Sequence, residues 1–345
     1  DPALNTEGVG RADLWVFDSA TIDDKPGGEH LAILQLFGDR PRPLAVSNDG
    51  LRVYAGIFLS GNQTTSIPPN NWNKAPPLTS ADGVRQPDSG LIVKWNGANW
   101  IDELGQTFNG AVPFRLPDYD IFEIDAMTLA ETDRVSGVGT ILFNIAVNPI
   151  TDTLYVSNMD ARNTVRFSGK ATRASTTVRG HVTDQQITVI EPGDVRQRIL
   201  NKHLDFDNPE ASAADKAKSV HMPLGMAVSG NGEQLYVAAY GSGKVVVYDT
   251  TELEEDAFVA DTADQAPLSG GGPSGIVLDE VNGYAYVLTR FDNAISIIDL
   301  RSFTEVGHLP LFNPEPAAVA EGRKFLYDAN LTSGNGNDSC ASCHI

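Results

Sequence analysis

Two stretches of similar design decide the fold: PLGMAVSGNGEQLYV at residues 223–237 and PSGIVLDEVNGYAYV at residues 273–287. Each consists of an apolar run, a turn rich in Gly, Asn or Asp, and a second apolar run that ends in Tyr-Val. Turn residues of these types accommodate the positive φ angles of a tight hairpin. A third apolar run ending in Asp follows each stretch, KVVVYD at residues 244–249 and AISIID at residues 294–299. The pattern therefore predicts a hairpin and a further strand in each copy.

Two more copies lie earlier in the chain, PLAVSNDGLRVYA at residues 43–55 and IAVNPITDTLYV at residues 145–156. Strands that match the third run occur at residues 14–18 and 119–125. The equivalent tyrosines of the last two copies are 50 residues apart, and a propeller blade of four antiparallel strands has about 40–50 residues. The repeat predicts an all-β protein, a β-propeller of four-stranded antiparallel blades. The alternative is a β-sandwich with coincidental hairpins, which the recurrence disfavours.

With its Tyr-Val core and the following Val/Ile-x-Val/Ile-x-Asp strand, the repeat resembles the YVTN-type seven-bladed propellers of bacterial extracellular proteins. The resemblance covers residues 13–312. The chain departs from it in number, since four clear copies are visible, with partial strands at both ends.

Composition excludes several classes of protein. The formal net charge is −20 with 25 Lys and Arg against 45 Asp and Glu, and nucleic-acid binding needs clustered basic residues. No apolar run is long enough to span a membrane. Three polar stretches are expected on the surface: a long loop at residues 60–90, a segment at 193–220 with a short helix near 211–218, and a solvated acidic loop at 252–256.

The second informative feature is a C-x-x-C-H run near the end of the sequence, formed by Cys340, Cys343 and His344, and it contains both cysteines of the chain. This spacing is the attachment signature of c-type haem, because two thiols can bond the two vinyl groups while the adjacent imidazole reaches the iron. A redox-active pair normally occurs in a thioredoxin-like context, which the sequence lacks. A zinc site would need further ligands, and there is no second cysteine pair.

Residues 322–333 and 339–344 together resemble the first haem-binding segment of bacterial di-haem cytochrome c peroxidases. The resemblance implies a helix at about 316–328, a loop at 329–338 and a short helical attachment segment. It also implies that Cys340 and Cys343 form thioethers and that His344 is the proximal iron ligand. That family has a second C-x-x-C-H and a distal ligand downstream, neither of which is present here, so peroxidase activity is not carried over.

This resemblance predicts two domains, a propeller at 1–313 and the start of a truncated cytochrome c-type domain at 314–345. Residues 317–327 fit either a helix or the first strands of another blade. A sixth iron ligand is expected beyond Ile345, and each His or Met of the chain is more readily explained as structural. Among them, His221-Met222 stands out because it precedes a repeat copy, at a propeller face that a haem segment could reach. The other candidates are His30, His181, His203, His308, Met127, Met159 and Met226. Trp15, Trp72, Trp95 and Trp100 are candidates for electron hopping but are more often packing residues.

We therefore expect a c-type haem protein that transfers electrons, with haem c as cofactor and a redox protein as partner. Covalent attachment of this kind takes place, in bacteria, outside the cytoplasmic membrane, so a periplasmic or extracellular location is expected. One alternative is a peroxidase-like or other haem oxidoreductase with a pocket at the propeller face. Another is an extracellular binding propeller in which the haem serves assembly, with a neighbouring subunit completing the haem site.

Overall fold

The described strands of the first half of the chain form three sheets. The structure is a computed structural model, and it describes residues 12–20, 30–67, 91–102, 105–113, 118–165, 181–206, 211–260 and 264–344. The strands up to residue 135 are β1 (Ala12–Phe17), β2 (His30–Leu36), β3 (Pro41–Val46), β4 (Arg52–Ile57), β5 (Thr64–Ile67), β6 (Leu91–Trp95), β7 (Trp100–Ile101), β8 (Ile121–Asp125) and β9 (Glu131–Val135). They form a two-stranded sheet β1-β2, a four-stranded sheet β3-β4-β8-β9, and a three-stranded sheet β5-β6-β7 inserted between β4 and β8.

The second half continues with three four-stranded antiparallel sheets, β10 to β13, β14 to β17 and β18 to β21, each in chain order. Their strands are β10 (Ile141–Val147), β11 (Leu154–Val165), β12 (His181–Glu191), β13 (Asp194–Ile199), β14 (Pro223–Val228), β15 (Gln234–Ala239), β16 (Lys244–Asp249), β17 (Gln265–Pro267), β18 (Pro273–Asp279), β19 (Tyr284–Thr289), β20 (Ala294–Asp299) and β21 (Thr304–Pro310). The α-helices are α1 (Ala213–Lys218), α2 (Thr250–Glu254), α3 (Ala317–Tyr327) and α4 (Ala329–Thr332). Within the described residues, no helix is long and apolar enough to cross a membrane.

The four repeat copies fold into equivalent hairpins with one register. The tyrosine of each second strand lies opposite a small or β-branched residue of the first; the pairs are Ala45–Tyr54, Ala146–Tyr155, Ala227–Tyr236 and Val277–Tyr286. A register shift interrupts the beginning of the first strand in every copy. Because register decides which face each side chain takes, the shared pairing explains why one sequence pattern recurs.

The hairpin turns of neighbouring sheets are joined to each other by hydrogen bonds. The Asn48 side chain donates to the carbonyl of Asn148 (2.9 Å), whose own side chain donates to the carbonyl of Gly232 (2.9 Å). The next turn donates from the backbone N–H of Gly230 to the carboxylate of Glu280 (3.0 and 3.1 Å). The turn residues thus have two functions, reversing the chain and connecting one sheet to the next.

Apolar clusters fill the space between successive sheets. One joins Tyr54 and Ile121 to Leu154, a second joins Tyr155 and its neighbours to the β14–β17 sheet, and a third joins that sheet to β18–β20. The first strands β3, β10, β14 and β18 lie side by side in this order. Four-stranded antiparallel sheets stacked through their faces around adjacent first strands constitute a propeller-like all-β fold.

Several expectations about the polar stretches are corrected. The loop predicted at 60–90 contains strand β5, which pairs with β6 and buries Ile67. Residues 68–90 lie outside the described part. The stretch at 193–220 contains β13, the outer strand of its sheet, as well as α1, which confirms the predicted helix. The acidic stretch is not a loop, since α2 covers most of it with Leu253 buried and Asp249 as its N-cap.

Near the C-terminal end of the sequence, residues 317–327 form α3 and not the first strands of a further blade. Helix α4 occupies the beginning of the loop predicted at 329–338, with the Asp328 side chain accepting the Leu331 N–H as its cap. Between β21 and α3 runs a connection without regular structure, and the predicted boundary after residue 313 stays a prediction.

Candidate functional site

Strands β11 and β12 are longer than their neighbours, with 12 and 11 residues. Strand β10 pairs with β11 only as far as Met159, and β13 pairs with β12 only from Gln186 onward. Residues 160–165 and 181–185 of these two strands therefore extend beyond their outer neighbours, and this part is called the projection. On this projection His181 bonds to Asp184 (2.8 Å) and stacks on Phe206 with ring centroids 3.4 Å apart.

A polar segment at residues 333–339 packs against this projection. Its side chains are almost completely buried, with Ser333, Asn337, Asp338 and Ser339 each 1% exposed. Buried polar groups are costly unless they are hydrogen-bonded, so the partners of this segment are what keep it in place.

Asn337 is the most connected residue of the polar segment. Its side-chain nitrogen donates to the carbonyl of Thr183 (2.9 Å), and its side-chain oxygen accepts from the amide of Asn201 (2.7 Å). The amide of Gln185 donates to the Asn337 carbonyl (3.2 Å). Gln185 also accepts the backbone N–H of Met222 (2.9 Å), so one network joins β12, the loop after β13 and the entry to β14.

Further contacts hold the beginning and the end of the polar segment. Lys216 donates to the carbonyl of Ser333 (2.5 Å), and Ser219 donates to the carbonyl of Asn335 (2.8 Å). The hydroxyl of Thr183 donates to the carboxyl of Asp338. Burial raises the pKa of Asp338 to about 6, although the hydrogen bonds from Thr183 and Asn337 act in the opposite direction.

His221 lies directly beneath the last residue of the segment. Its Nε2 atom is 2.9 Å from the hydroxyl of Ser339, and the ring has no solvent exposure. Burial lowers the pKa of His221 to about 3, against a smaller opposing effect of the Asn337 backbone. A neutral histidine beside a serine is also the arrangement of a hydrolytic pair, but Ser339 is buried and no substrate could reach it.

The C-x-x-C-H residues follow as a 3-10 helix at Cys340–Ser342. Ser339 caps it by accepting the Ala341 N–H (3.2 Å), and the Ser342 hydroxyl accepts the Ser339 N–H in return (3.1 Å). Side chains three positions apart eclipse each other in a 3-10 helix, so Cys340 and Cys343 lie on one side of this turn.

The turn has a buried side and an exposed side. Ala341 is completely buried in an apolar cluster with Met159, Met222 and Tyr240. Cys340 is half-buried with a free thiol, while Cys343, also free, and His344 are exposed. Although the Cys343 residue as a whole is exposed, partial burial of its sulfur atom raises the pKa of its thiol. The nearby Asp338 and Cys340 raise this pKa by smaller amounts. The three residues nominated from sequence are thus brought together at the surface.

The other candidate iron ligands do not share this exposed side. His221, Met222 and Met159 lie on the buried side of the turn, and Met226 belongs to the core between two sheets. His181 lies on the projection near Asp338 and bonds to Asp184. The other four lie elsewhere: His203 bonds to the carbonyl of Asp215, His308 lies between Asp292 and Glu305, His30 packs on Trp15, and Met127 is 79% exposed. Among the described residues, no group of three or more His, Cys, Asp or Glu side chains could hold a metal ion.

Trp15, Trp95 and Trp100 lie on strands β1, β6 and β7, in sheets to which the C-x-x-C-H turn does not belong. Trp95 and Trp100 pack edge to face at 5.8 Å in the three-stranded sheet, and Trp15 is on the β1–β2 ribbon. These contacts are those of packing residues. Trp72 lies outside the described residues.

A cleft of about 740 Å³ lies between α3 and the loops at residues 242–243 and 268–271. Most of its carboxylates already have partners: Asp292 bonds to His308, Glu315 to Arg323, and Asp328 caps α4. The cleft is therefore a less convincing site than the C-x-x-C-H turn.

No protein-family model matches the chain, and no characterised protein matches it in sequence. The solved structures that are similar in fold include the following two. Hydrazine synthase of Kuenenia stuttgartiensis has 16% identity and a TM-score of 0.42, over 78% of this chain and 74% of that one. The periplasmic gluconolactonase PpgL of Pseudomonas aeruginosa has 12% identity and a TM-score of 0.47, over 90% of this chain and 67% of that one. The fold assignment rests on the sheets themselves and not on these likenesses.

Sequence reasoning missed the polar segment and the projecting hairpin as parts of the site. The Ser, Gly and Asn content of residues 333–339 indicated an ordinary loop. A signal was present in the Asn and Asp residues, whose side chains commonly bond to backbone groups, but it does not reveal their partners.

Proposed function

We propose that the chain is a c-type haem protein of the periplasm or extracellular space that transfers electrons to or from a partner protein. In this proposal the propeller-like body is of the YVTN type and the C-x-x-C-H turn is a cytochrome c-type attachment segment. The observation that supports it is the arrangement of two free thiols on one side of a 3-10 turn, with an exposed imidazole next to them.

The donor set fits haem c. Each thiol, Cys340 and Cys343, would add its sulfur to a vinyl carbon and its hydrogen to the next carbon, which forms a thioether without net oxidation. His344 would supply the proximal nitrogen to the iron. When bound, the haem supplies a one-electron couple, and its potential depends on the axial ligands and on burial.

The body of the protein would contribute orientation and exclusion of water. The polar segment fixes the turn from below, and Ala341 fills the apolar cluster under it. The exposed side of the turn leaves an approach open for a partner. Phe325 and Leu331, 60% and 48% exposed on α3 and α4, are apolar side chains near the turn in sequence that could cover part of a haem.

The test is expression in a bacterial host that attaches haem c, followed by a haem stain of a denaturing gel and by intact mass. The expected result is one covalently bound haem on the wild type, none on the Cys340→Ala/Cys343→Ala double variant, and a normal amount on the control His203→Ala. His344→Ala should keep covalent haem but change its visible spectrum. Absence of covalent haem on the wild-type chain would refute the proposal.

The same preparation separates the two alternatives. An electron carrier should have a six-coordinate, low-spin haem that does not react with peroxide. A peroxidase-like enzyme should have an exchangeable iron site, and an assembly role predicts that His344→Ala changes the oligomeric state rather than a redox activity.

A further inference from the structure

The position of His221, just before β14, depends on residues 241 and 242, just after β15. Its backbone N–H donates to the Ser242 hydroxyl (2.8 Å), and its carbonyl accepts the N–H of Gly241 (3.0 Å). A Cβ atom at position 241 would lie 2.1 Å from His221 Cδ2. The ring therefore occupies space that only glycine at this position leaves free.

The ring is held to the C-x-x-C-H turn through one oxygen atom. Ser339 has a single hydroxyl hydrogen, and its oxygen accepts the N–H of Ala341. Nε2 of His221 lies 2.9 Å from the same oxygen and is hydrogen-bonded to it. This serine is at once the N-cap of the 3-10 helix and the contact to the buried ring.

The two cysteine residues differ in exposure. Ser339 immediately precedes Cys340, and the half-burial of Cys340 contrasts with the exposure of Cys343 at the far end of the turn. If the Ser339 hydroxyl loses its partner, the cap and the attachment weaken together. Cys340, which is next to it, should gain exposure before Cys343 changes.

We propose that His221 is a positioning residue for the haem attachment site, which acts through Ser339 to hold the C-x-x-C-H turn in a fixed pose with Cys340 partly shielded. The inference rests on the proposed function, since it assigns to His221 the placement of the two attachment thiols. It does not make His221 a ligand or a reacting group.

The experiment uses the full chain in its reduced form without haem, and a maleimide as the probe. Labelling rates of Cys340 and Cys343 are read separately by peptide mass spectrometry. Ser339→Ala and His221→Ala should each raise the ratio of the Cys340 rate to the Cys343 rate at least about fivefold, the factor that corresponds to ~1 kcal/mol for a lost cap or hydrogen bond. His203→Ala, which removes a half-buried histidine bonded to α1, is the matched control and should leave the ratio unchanged.

Conservative variants separate positioning from general loss of structure. Ser339→Thr keeps the hydroxyl and should restore the wild-type ratio, and His221→Gln, which keeps a polar group in the cavity, should restore part of it. In the Ser339→Ala/His221→Ala double variant the ratio should rise no further than in Ser339→Ala alone, because that variant already removes the contact to His221.

Equal ratios in wild type and Ser339→Ala would overturn the inference, and so would a Ser339→Thr variant that behaves like Ser339→Ala. Failure of haem attachment is a separate result, since the labelling rates are measured without haem. In protein that carries haem, Ser339→Ala should shift the midpoint potential while Ser339→Thr does not, because a loosened turn changes the solvent exposure of the group.

Discussion

Replacement of Asn337 by Ala tests whether hydrogen bonds hold the polar segment in place. The side chain bonds to the Thr183 carbonyl, the Asn201 amide and the Asp338 carboxyl at 2.7 to 2.9 Å. Each such bond contributes about 1 kcal/mol net, and the amide of Asn201 keeps its second bond, to Val220. Asn337→Ala should therefore lower the free energy needed to open the polar segment by about 2–3 kcal/mol, which corresponds to a roughly 30- to 150-fold increase in the opening equilibrium constant.

Hydrogen–deuterium exchange of peptides that cover residues 333–341 measures this opening directly. The N–H groups of Asn335 and Gly336 donate to the Ser333 hydroxyl, and that of Asn337 donates to Asn335, so their protection depends on the docked conformation. Asn282→Ala is the matched control, since Asn282 lies on an exposed hairpin turn and bonds only within it. An increase below about threefold in Asn337→Ala would show that something other than these hydrogen bonds keeps the segment docked.

Three further perturbations follow from buried groups. The pKa of Asp338 is raised to about 6, so between pH 4 and 6 the folded state binds a proton that the unfolded state has released. The unfolding free energy of the wild type should therefore fall by up to about 3 kcal/mol relative to Asp338→Asn as the pH rises through this range. Urea unfolding at a series of pH values measures this difference. Lys244 has its pKa lowered to about 7 by burial, so the unfolded chain binds the extra proton at higher pH. The unfolding free energy of the wild type should rise from pH 7 to pH 9 by about 1 kcal/mol per pH unit relative to Lys244→Met, and parallel curves would contradict this. Gly241→Ala should lower the unfolding free energy by about 1–3 kcal/mol, because the added methyl group overlaps His221. The control is Gly322→Ala in α3, which has open space around it and should be neutral or stabilising by up to about 1 kcal/mol. Equal thermal midpoints of the two variants would refute the overlap.

The propeller-like body could be predicted because its information is local. Within each copy the turn residues and the alternating apolar positions determine a hairpin, and the same Ala–Tyr or Val–Tyr register results in all four sheets. The sheet that starts at β10 was harder to predict, since its third strand, β12, is rich in Thr, Asp and Gln. Thr183 and Gln185 of this strand bond to the docked segment, and Thr188 bonds to the carbonyl of Val138. The pattern of buried polar residues therefore does not resemble that of an apolar blade strand.

The site could be predicted only in part, for the opposite reason. The spacing of Cys340, Cys343 and His344 is a local signal and named the three residues that meet at the surface. Their support comes from Thr183, Asn201 and other residues more than 100 positions away, and only the order of the sheets brings them together. The structure places His221 beneath the C-x-x-C-H turn, but its buried contact with Ser339 could not be inferred from the sequence.

The hydrogen bonds between hairpin turns have a consequence for cooperativity. Through Asn48, Asn148, Gly232, Gly230 and Glu280 each turn is joined to the turn of the next sheet. A sheet that frays loses its own pairing and also removes acceptors or donors from its neighbours, which is the nearest-neighbour coupling of repeat proteins. We expect the loss of one turn, for example through Asn148→Ala, to lower the stability of the sheets on both sides. The sheets, including those far from the C-x-x-C-H turn, should then unfold together in one transition.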